Sequence, residues 1–237
     1  MSMRYVQLTP RLSASLEMLR GYDTVADIGC DHGRLTAALL QRGGCRFVIA
    51  SDISEPSLEK ARQLIAHIGL SDHVSFREGD GCSVLHPGEC DAIALLGMGG
   101  TLMTRILNAC PVPLMGAKAL VLQPMRAQDD IRRYLYENRF RIISDRVIRD
   151  HGRLYQAFKA VPGIVQEPIP EGFPQDFFDI GYRSFADRDE LLPLLCRQQL
   201  DCHKSMLHTA LGTAGEAVIQ SKIDALEQIL RLMRQGD

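Results

Sequence analysis

The residues best suited to chemistry lie in one short stretch, ValAlaAspIleGlyCysAspHisGlyArgLeu at 25–35. Its glycine turn joins a strand-like run to a helical one, which sets a ligand against a helix N-terminus at the carboxyl end of the first strand. The turn does not spell GxGxxG, because Asp31 stands two positions after Gly29. Asp27 and Asp31 give the loop two carboxylates. Such a loop repels a pyrophosphate and favours a sulfonium joined to a zwitterionic amino acid. Asp52 ends the second strand-like run, followed by Ile53, and can accept from both hydroxyls of a ribose. NAD enzymes use the same geometry, so Asp52 by itself indicates a nucleoside and not which one. Asp80, in ArgGluGlyAspGly at 77–81, can accept from an adenine amino group, with Gly81 keeping the backbone close. Each aspartate alone suits a turn or a helix cap. Carboxylates at successive strand ends, in this order, point instead to one cofactor, S-adenosylmethionine. The fourth run ends in LeuLeuGlyMetGlyGlyThr at 95–101, where Gly97, Met98 and Gly99 leave bare backbone for a planar ligand. Simple helix entry would use the same glycines. An Asp/Asn-Pro-Pro-aromatic sequence is missing here, which counts against methylation of an exocyclic amine.

Elements that could position these residues follow from periodicity. Strands are expected at 24–28, 45–51, 73–77, 91–96 and 118–122, with helices at 33–41, from Ser54 to about His67, at 101–108 and at 127–138. This βαβα rhythm predicts a mostly parallel sheet with helices on both faces. Runs at 139–149 and 153–160 are separated only by AspHisGly, so they must pair antiparallel. A parallel sheet closed by an antiparallel hairpin is the Rossmann-like class I methyltransferase arrangement. Residues 1–160 are read as the catalytic domain, 161–182, rich in proline and glycine, as a linker, and 183–237 as an antiparallel helical coiled-coil hairpin. Its seam is Ile219, Ile223, Leu226, Leu230 and Met233, at 4–3–4–3 spacing.

The 237 residues are 46% apolar and 24% charged, ordinary for a globular protein. No run of about 18 apolar residues occurs, so no membrane span is expected. The opening MSMRYVQLTPRL lacks the apolar segment of a secretory leader. The seven cysteines form no CxxC pair, so no metal site is expected and a cytoplasmic location is the simplest reading. Charge is uneven: residues 118–160 carry ten basic and five acidic side chains, whereas 161–237 carry seven basic and twelve acidic. A basic segment can meet nucleic acid, or can be a solvated surface.

AspIleGlyCysAspHisGly (27–33), GlyAspGly (79–81), GlyMetGlyGly (97–100) and LeuValLeuGlnPro (120–124) come in this order. With ArgArgTyrLeuTyr and LeuTyrGlnAla, they resemble the bacterial tRNA (adenine-22-N1)-methyltransferase family over roughly residues 5–160. The resemblance implies methyl transfer from S-adenosylmethionine to N1 of an adenine in the D-arm region of tRNA, giving 1-methyladenosine. It implies a cofactor site of Asp27, Gly29, Asp31, His32, Gly33, Asp52, Ile53, Asp80, Gly81, Gly97, Met98 and Gly99. It further implies Asp31 as the catalytic carboxylate, and Arg11, Gln123, Pro124 and Arg126 on the substrate side. Met125 stands where the family reads Asn. The acidic C-terminal segment makes 118–160 the better candidate for phosphate contact. Two other readings stay open: a methyltransferase acting on a small molecule or protein, and a cofactor-binding scaffold without catalysis.

Overall fold

In the computed structural model, described here for residues 5–110, 116–163, 168–175, 177–213 and 215–235, seven strands form one sheet. They are β1 (Thr24–Ile28), β2 (Phe47–Asp52), β3 (Val74–Glu78), β4 (Ala92–Met98), β5 (Ala119–Pro124), β6 (Phe140–Asp150) and β7 (Arg153–Pro162), in the order β3-β2-β1-β4-β5-β7-β6. The first five are parallel. β7 runs antiparallel between β5 and β6 (Leu120 opposite Ala160, Asp150 opposite Arg153). The order of strands reverses between β1 and β4, and there the carboxyl ends of the strands open a crevice.

Central strands are buried on both faces, which is why they read as unbroken apolar runs; every residue of β5 is buried. On one face Ile93, Leu95, Leu120, Leu122 and Phe158 pack against two helices, α4 (Gly100–Ala109) and α5 (Gln128–Glu137). On the other, Val25, Val48, Ala94 and Val121 meet α1 (Pro10–Met18), α2 (Arg34–Ala38) and α3 (Glu55–His67). Local chemistry sets these helices. Thr9 Oγ1 accepts from the Leu12 amide at 3.4 Å to open α1. Ser54 Oγ accepts from Ser57 to open α3, with Pro56 in its first turn, and left-handed Gly69 follows its end. The expected helix from Gly33 shortens to α2 and continues as a π-helical turn through Gly43.

A third core lies beyond β6. Val147 packs with Phe173, Phe177 and Ile180 and with two long helices, α7 (Leu192–Ala210) and α8 (Glu216–Gln235), which follow a short α6 (Tyr182–Ala186). The stretch read as a linker therefore contributes three buried apolar side chains, and β7 itself extends to Pro162. Of the anticipated seam, Ile223, Leu226 and Leu230 are buried and Ile219 and Met233 only partly; Ala225 and Ile229 are buried as well. The buried stripe on α8 is wider than an a/d seam because the helix packs on this third core as well as on α7. Among the described residues, no helix is long and apolar enough to cross a membrane, and no group of three or more His, Cys, Asp or Glu is placed to hold a metal.

Candidate active site

The carboxyl ends of β1 and β4 frame a cleft of about 390 Å³. Its walls include Arg11 from α1, Asp27, Gly29, Asp31 and His32 from the first loop, Gly97 and Met98 from β4, and Gln123 from β5. Six of the anticipated cofactor residues and two of the anticipated substrate residues thus come together in one place.

The first loop is built by backbone as much as by side chains. The Gly29 and Cys30 amides both donate to the Ser51 carbonyl, at 2.8 and 2.9 Å, which locks the turn to the end of β2. Gly29 adopts φ 73°, and a Cβ there would lie 2.9 Å from Met98 Cε, so the position needs glycine twice over. Asp31 also sits in left-handed backbone, at φ 48°, a conformation that aspartate tolerates better than most residues. Its amide donates to Asp52 Oδ2 at 3.0 Å, while the Ser54 amide donates to Oδ1 at 2.9 Å. Asp52 is therefore the post on which two loops hang, and its carboxylate keeps acceptor capacity for further donors.

The two loop carboxylates differ sharply. Asp31 projects with 72% of its side chain exposed, and His32 Nε2 lies 3.5 Å from its Oδ1. Lys60 Nζ reaches the same His32 nitrogen at 3.2 Å. Asp27 is 3% exposed and accepts from Thr36 Oγ1 at 2.7 Å. Burial pushes its carboxyl up to about 6, partly offset by the Thr36 hydrogen bonds. A cation beside Asp27 would hold it ionised. Cys30 also lines the cleft, and burial together with the neighbouring aspartates pushes its thiol far up, which disfavours the thiolate.

The opposite wall centres on Arg11. Its Nε donates to Asp150 Oδ2 at 2.8 Å and its Nη1 to Gln123 Oε1 at 3.2 Å, with Met125 Sδ also at 3.2 Å. The guanidinium lies over the Tyr155 ring, 4.5 Å from its centroid. Asp150 also accepts at Oδ1 from His151 Nδ1, 2.5 Å away. Burial alone would raise the Asp150 carboxyl; the hydrogen bonds from Arg11 and His151 outweigh it and hold the group below its usual range. Asp150, Tyr155 and Thr36 escaped sequence reasoning. The first two lie on the hairpin, far in sequence from Arg11, and nothing local in the chain marks Thr36.

Several anticipated residues stand outside the cleft wall. Gly33, at φ 69°, caps α2 and faces Ala61, whose Cβ is 2.9 Å from where a Gly33 Cβ would be. Ile53 is 71% exposed beside Asp52. Asp80 is exposed, 3.9 Å from Arg105, and Gly81 packs on Ile106. Arg126 lies against Gly99, and its carbonyl accepts from the Gly100 amide at 2.8 Å. Pro124 is buried at the end of β5. Of the aromatics at 134–140, Phe140 is buried, whereas Tyr136 is 45% exposed and its ring tilts against Phe178.

The donor set suits a cationic nucleoside. The exposed Asp31 carboxylate and the deeper Asp27 face one cleft, Asp52 stands adjacent with spare acceptor capacity, and Gly97 presents no side chain where a Cβ would meet only open space. A Cβ there would fill room that a flat ligand can use.

Comparison with known proteins shows the family and the fold. Residues 8–158 match the family described as methyltransferase domain. The Bacillus subtilis tRNA (adenine(22)-N(1))-methyltransferase is 34% identical over 161 residues, 68% of each chain. The crystal structure of the B. subtilis m1A22 tRNA methyltransferase TrmK superposes with TM-score 0.76 at 27% identity, covering 97% of this chain and 98% of that one. A Streptococcus pneumoniae protein crystallised with S-adenosyl-L-methionine shares the fold, with TM-score 0.82 at 22% identity, over 94% of this chain and all of the other (100%). A methyltransferase domain over most of the chain, this sheet and this degree of identity establish that the chain belongs to the tRNA (adenine(22)-N(1))-methyltransferase family of S-adenosylmethionine-dependent enzymes.

Proposed function

We propose that this enzyme methylates N1 of an adenine in the D-arm region of tRNA, in the cytoplasm, with Asp31 as its catalytic carboxylate. The observation that carries the reading is the exposed Asp31 carboxylate, held on a left-handed turn in a cleft whose far wall is Arg11 and Gln123. Asp27, Gly29, Asp31, His32, Asp52, Gly97 and Met98 would hold S-adenosylmethionine, which supplies an electrophilic methyl group when bound. Gly33, Ile53, Asp80, Gly81 and Gly99 shape the surrounding loops. Residues 1–160 would act as the catalytic domain, 161–182 as the segment linking it to the rest, and 183–237 as a helical arm that packs on Phe173, Phe177 and Ile180.

Adenine N1 carries a lone pair, so the protein's main task is alignment. Methylation leaves the base cationic, and a carboxylate alongside stabilises that charge or takes a proton from the amino group. N1 lies on the pairing edge, so the base must enter the cleft unpaired. Arg126, Arg149 and Arg153 are exposed and make no ion pair among the described residues, which suits phosphate contact. Arg132, in the same basic segment, is 2% exposed and structural.

Radiolabelled methyl transfer to bulk tRNA followed by nucleoside analysis tests the reading. Label in 1-methyladenosine is the expected result. Label only in another nucleoside, a small molecule or a protein would overturn the substrate, and no transfer despite cofactor binding would make the chain a scaffold.

A further inference from the structure

Arg11 is fixed from three strands at once: Gln123 on β5, Asp150 on β6 and Tyr155 on β7. These contacts use its Nε, its Nη1 and one face of the guanidinium. Nη2 makes no hydrogen bond among the described residues, and Arg11 lines the cleft with 26% of its side chain exposed. An arginine so held presents one free donor edge at a fixed angle, and a planar fork loses little freedom when it binds.

Asp150 has a different place. It does not line the cleft, its side chain is 2% exposed, and its two oxygens are used by Arg11 and His151. We propose that Asp150 is a positioning residue of the target site: acting only through Arg11, it aims the free guanidinium edge at the nucleotide to be methylated. This rests on the tRNA reading given above. Gln123 and Met125 hold the adjacent Nη1, Met125 being 40% exposed with its sulfur 3.7 Å from Gln123 Nε2. Asp150 thus decides which way the fork faces.

A purely structural staple would have little left to do here. α1 is already anchored by Leu16, Met18 and Leu19, at 2%, 5% and 0% exposure, and by its Thr9 cap. A buried, charged partner for one cleft-lining guanidinium is better explained by the direction it imposes.

Steady-state kinetics on full-length enzyme with tRNA transcript test this, with S-adenosylhomocysteine affinity measured by calorimetry. Asp150→Asn should lower kcat/KM for tRNA on the order of 10-fold or more while cofactor affinity stays within about twofold. In an Arg11→Gln background, Asp150→Asn should cost nothing further, because its only route to the reaction is gone. Unchanged tRNA kinetics in Asp150→Asn, a full additional loss in the Arg11→Gln background, or a matching loss of cofactor affinity would each overturn the proposal. If Asp150→Asn fails to fold, Arg11→Lys decides: lysine keeps the charge but cannot satisfy Asp150 and Gln123 as a fork, so it should lose activity as Arg11→Gln does, and full activity overturns the proposal. Wild type measured alongside separates the two readings. Absence of 1-methyladenosine from its tRNA overturns the substrate and the target role together; its presence with normal Asp150→Asn kinetics overturns the positioning role alone.

Discussion

Arg132 and Asp145 meet at 2.9 Å with 2% and 0% of their side chains exposed, and this pair ties the sheet to the segment leading into the C-terminal helices. Arg132 Nη1 donates to the Phe178 and Asp179 carbonyls at 3.0 and 3.1 Å, and Nη2 reaches Gln156 Oε1 at 2.7 Å. Burial raises the Asp145 carboxyl despite the guanidinium beside it, so the charge depends on Arg132. Arg132→Met should therefore destabilise the protein by about 3–5 kcal/mol, because it leaves a buried carboxylate unpaired. Adding Asp145→Asn should recover part of that loss. Urea unfolding of the single and double variants measures both, and equal stability of Arg132→Met and wild type would contradict the assignment.

Gly100 predicts a second, purely steric effect. A Cβ there would lie 1.9 Å from the Ala127 carbonyl oxygen, which is backbone and cannot step aside. Gly100→Ala should force α4 off the β5–α5 turn and lower Tm by several degrees at least, consistent with overpacking costs of about 1–3 kcal/mol. Thermal unfolding checks this, with Gly97→Ala as a contrast: its Cβ meets open space, so only its φ of 75° is strained.

Asp27 gives a pH dependence of defined sign. Its folded carboxyl titrates at about 6 against 3.8 unfolded, so the folded state holds the proton more tightly. That contribution to stability is complete below about pH 3.8 and is lost as pH rises through about 6. The loss is at most about 3 kcal/mol at 1.36 kcal/mol per pH unit. Asp27→Asn should remove this fall, gaining stability over wild type at pH 8 but not at pH 4. Stability curves at the two values decide it; a gain of the same size at both would contradict the assignment.

Asp31→Asn tests whether the proposed catalytic role of this carboxylate is separable from cofactor binding. Asparagine tolerates the φ of 48° and keeps the amide that donates to Asp52, so Asp31→Asn changes the charge with little disturbance of the loop. Single-turnover methylation should fall about 10²-fold or more while cofactor affinity changes little. Equal loss of both would make Asp31 a cofactor ligand only.

Much of this was legible in the chain. The central parallel strands announce themselves because burial on both faces leaves apolar runs, edge strand β3 shows only the alternation ValSerPheArgGlu of a half-buried strand, and AspHisGly between 149 and 153 forces the antiparallel pair. The loop from Asp27 to Gly33 is readable because its constraints are local: left-handed turns, a helix start, carboxylates at strand ends. What could not be read were relationships between distant residues. Nothing near Asp27 shows that it would be buried beside Thr36, nine positions on, and held near 6 rather than standing as a free charge. Nor does the proline-rich 161–182 stretch, dilute in apolar residues, reveal that Phe173, Phe177 and Ile180 close a third core.

The contact between Arg11 and Asp150 spans 139 positions of chain. The cleft residues proposed for the cofactor lie between Asp27 and Met98, whereas Arg11 on the other wall waits for Gln123 of β5 and then for Asp150 and Tyr155 of the hairpin. On a ribosome adding roughly 5–20 residues per second, α1 must spend on the order of ten seconds without the strands that hold its arginine. On the proposed assignment, the residues for the methyl donor leave the ribosome first, and the side chains that fix the arginine facing the acceptor leave it last.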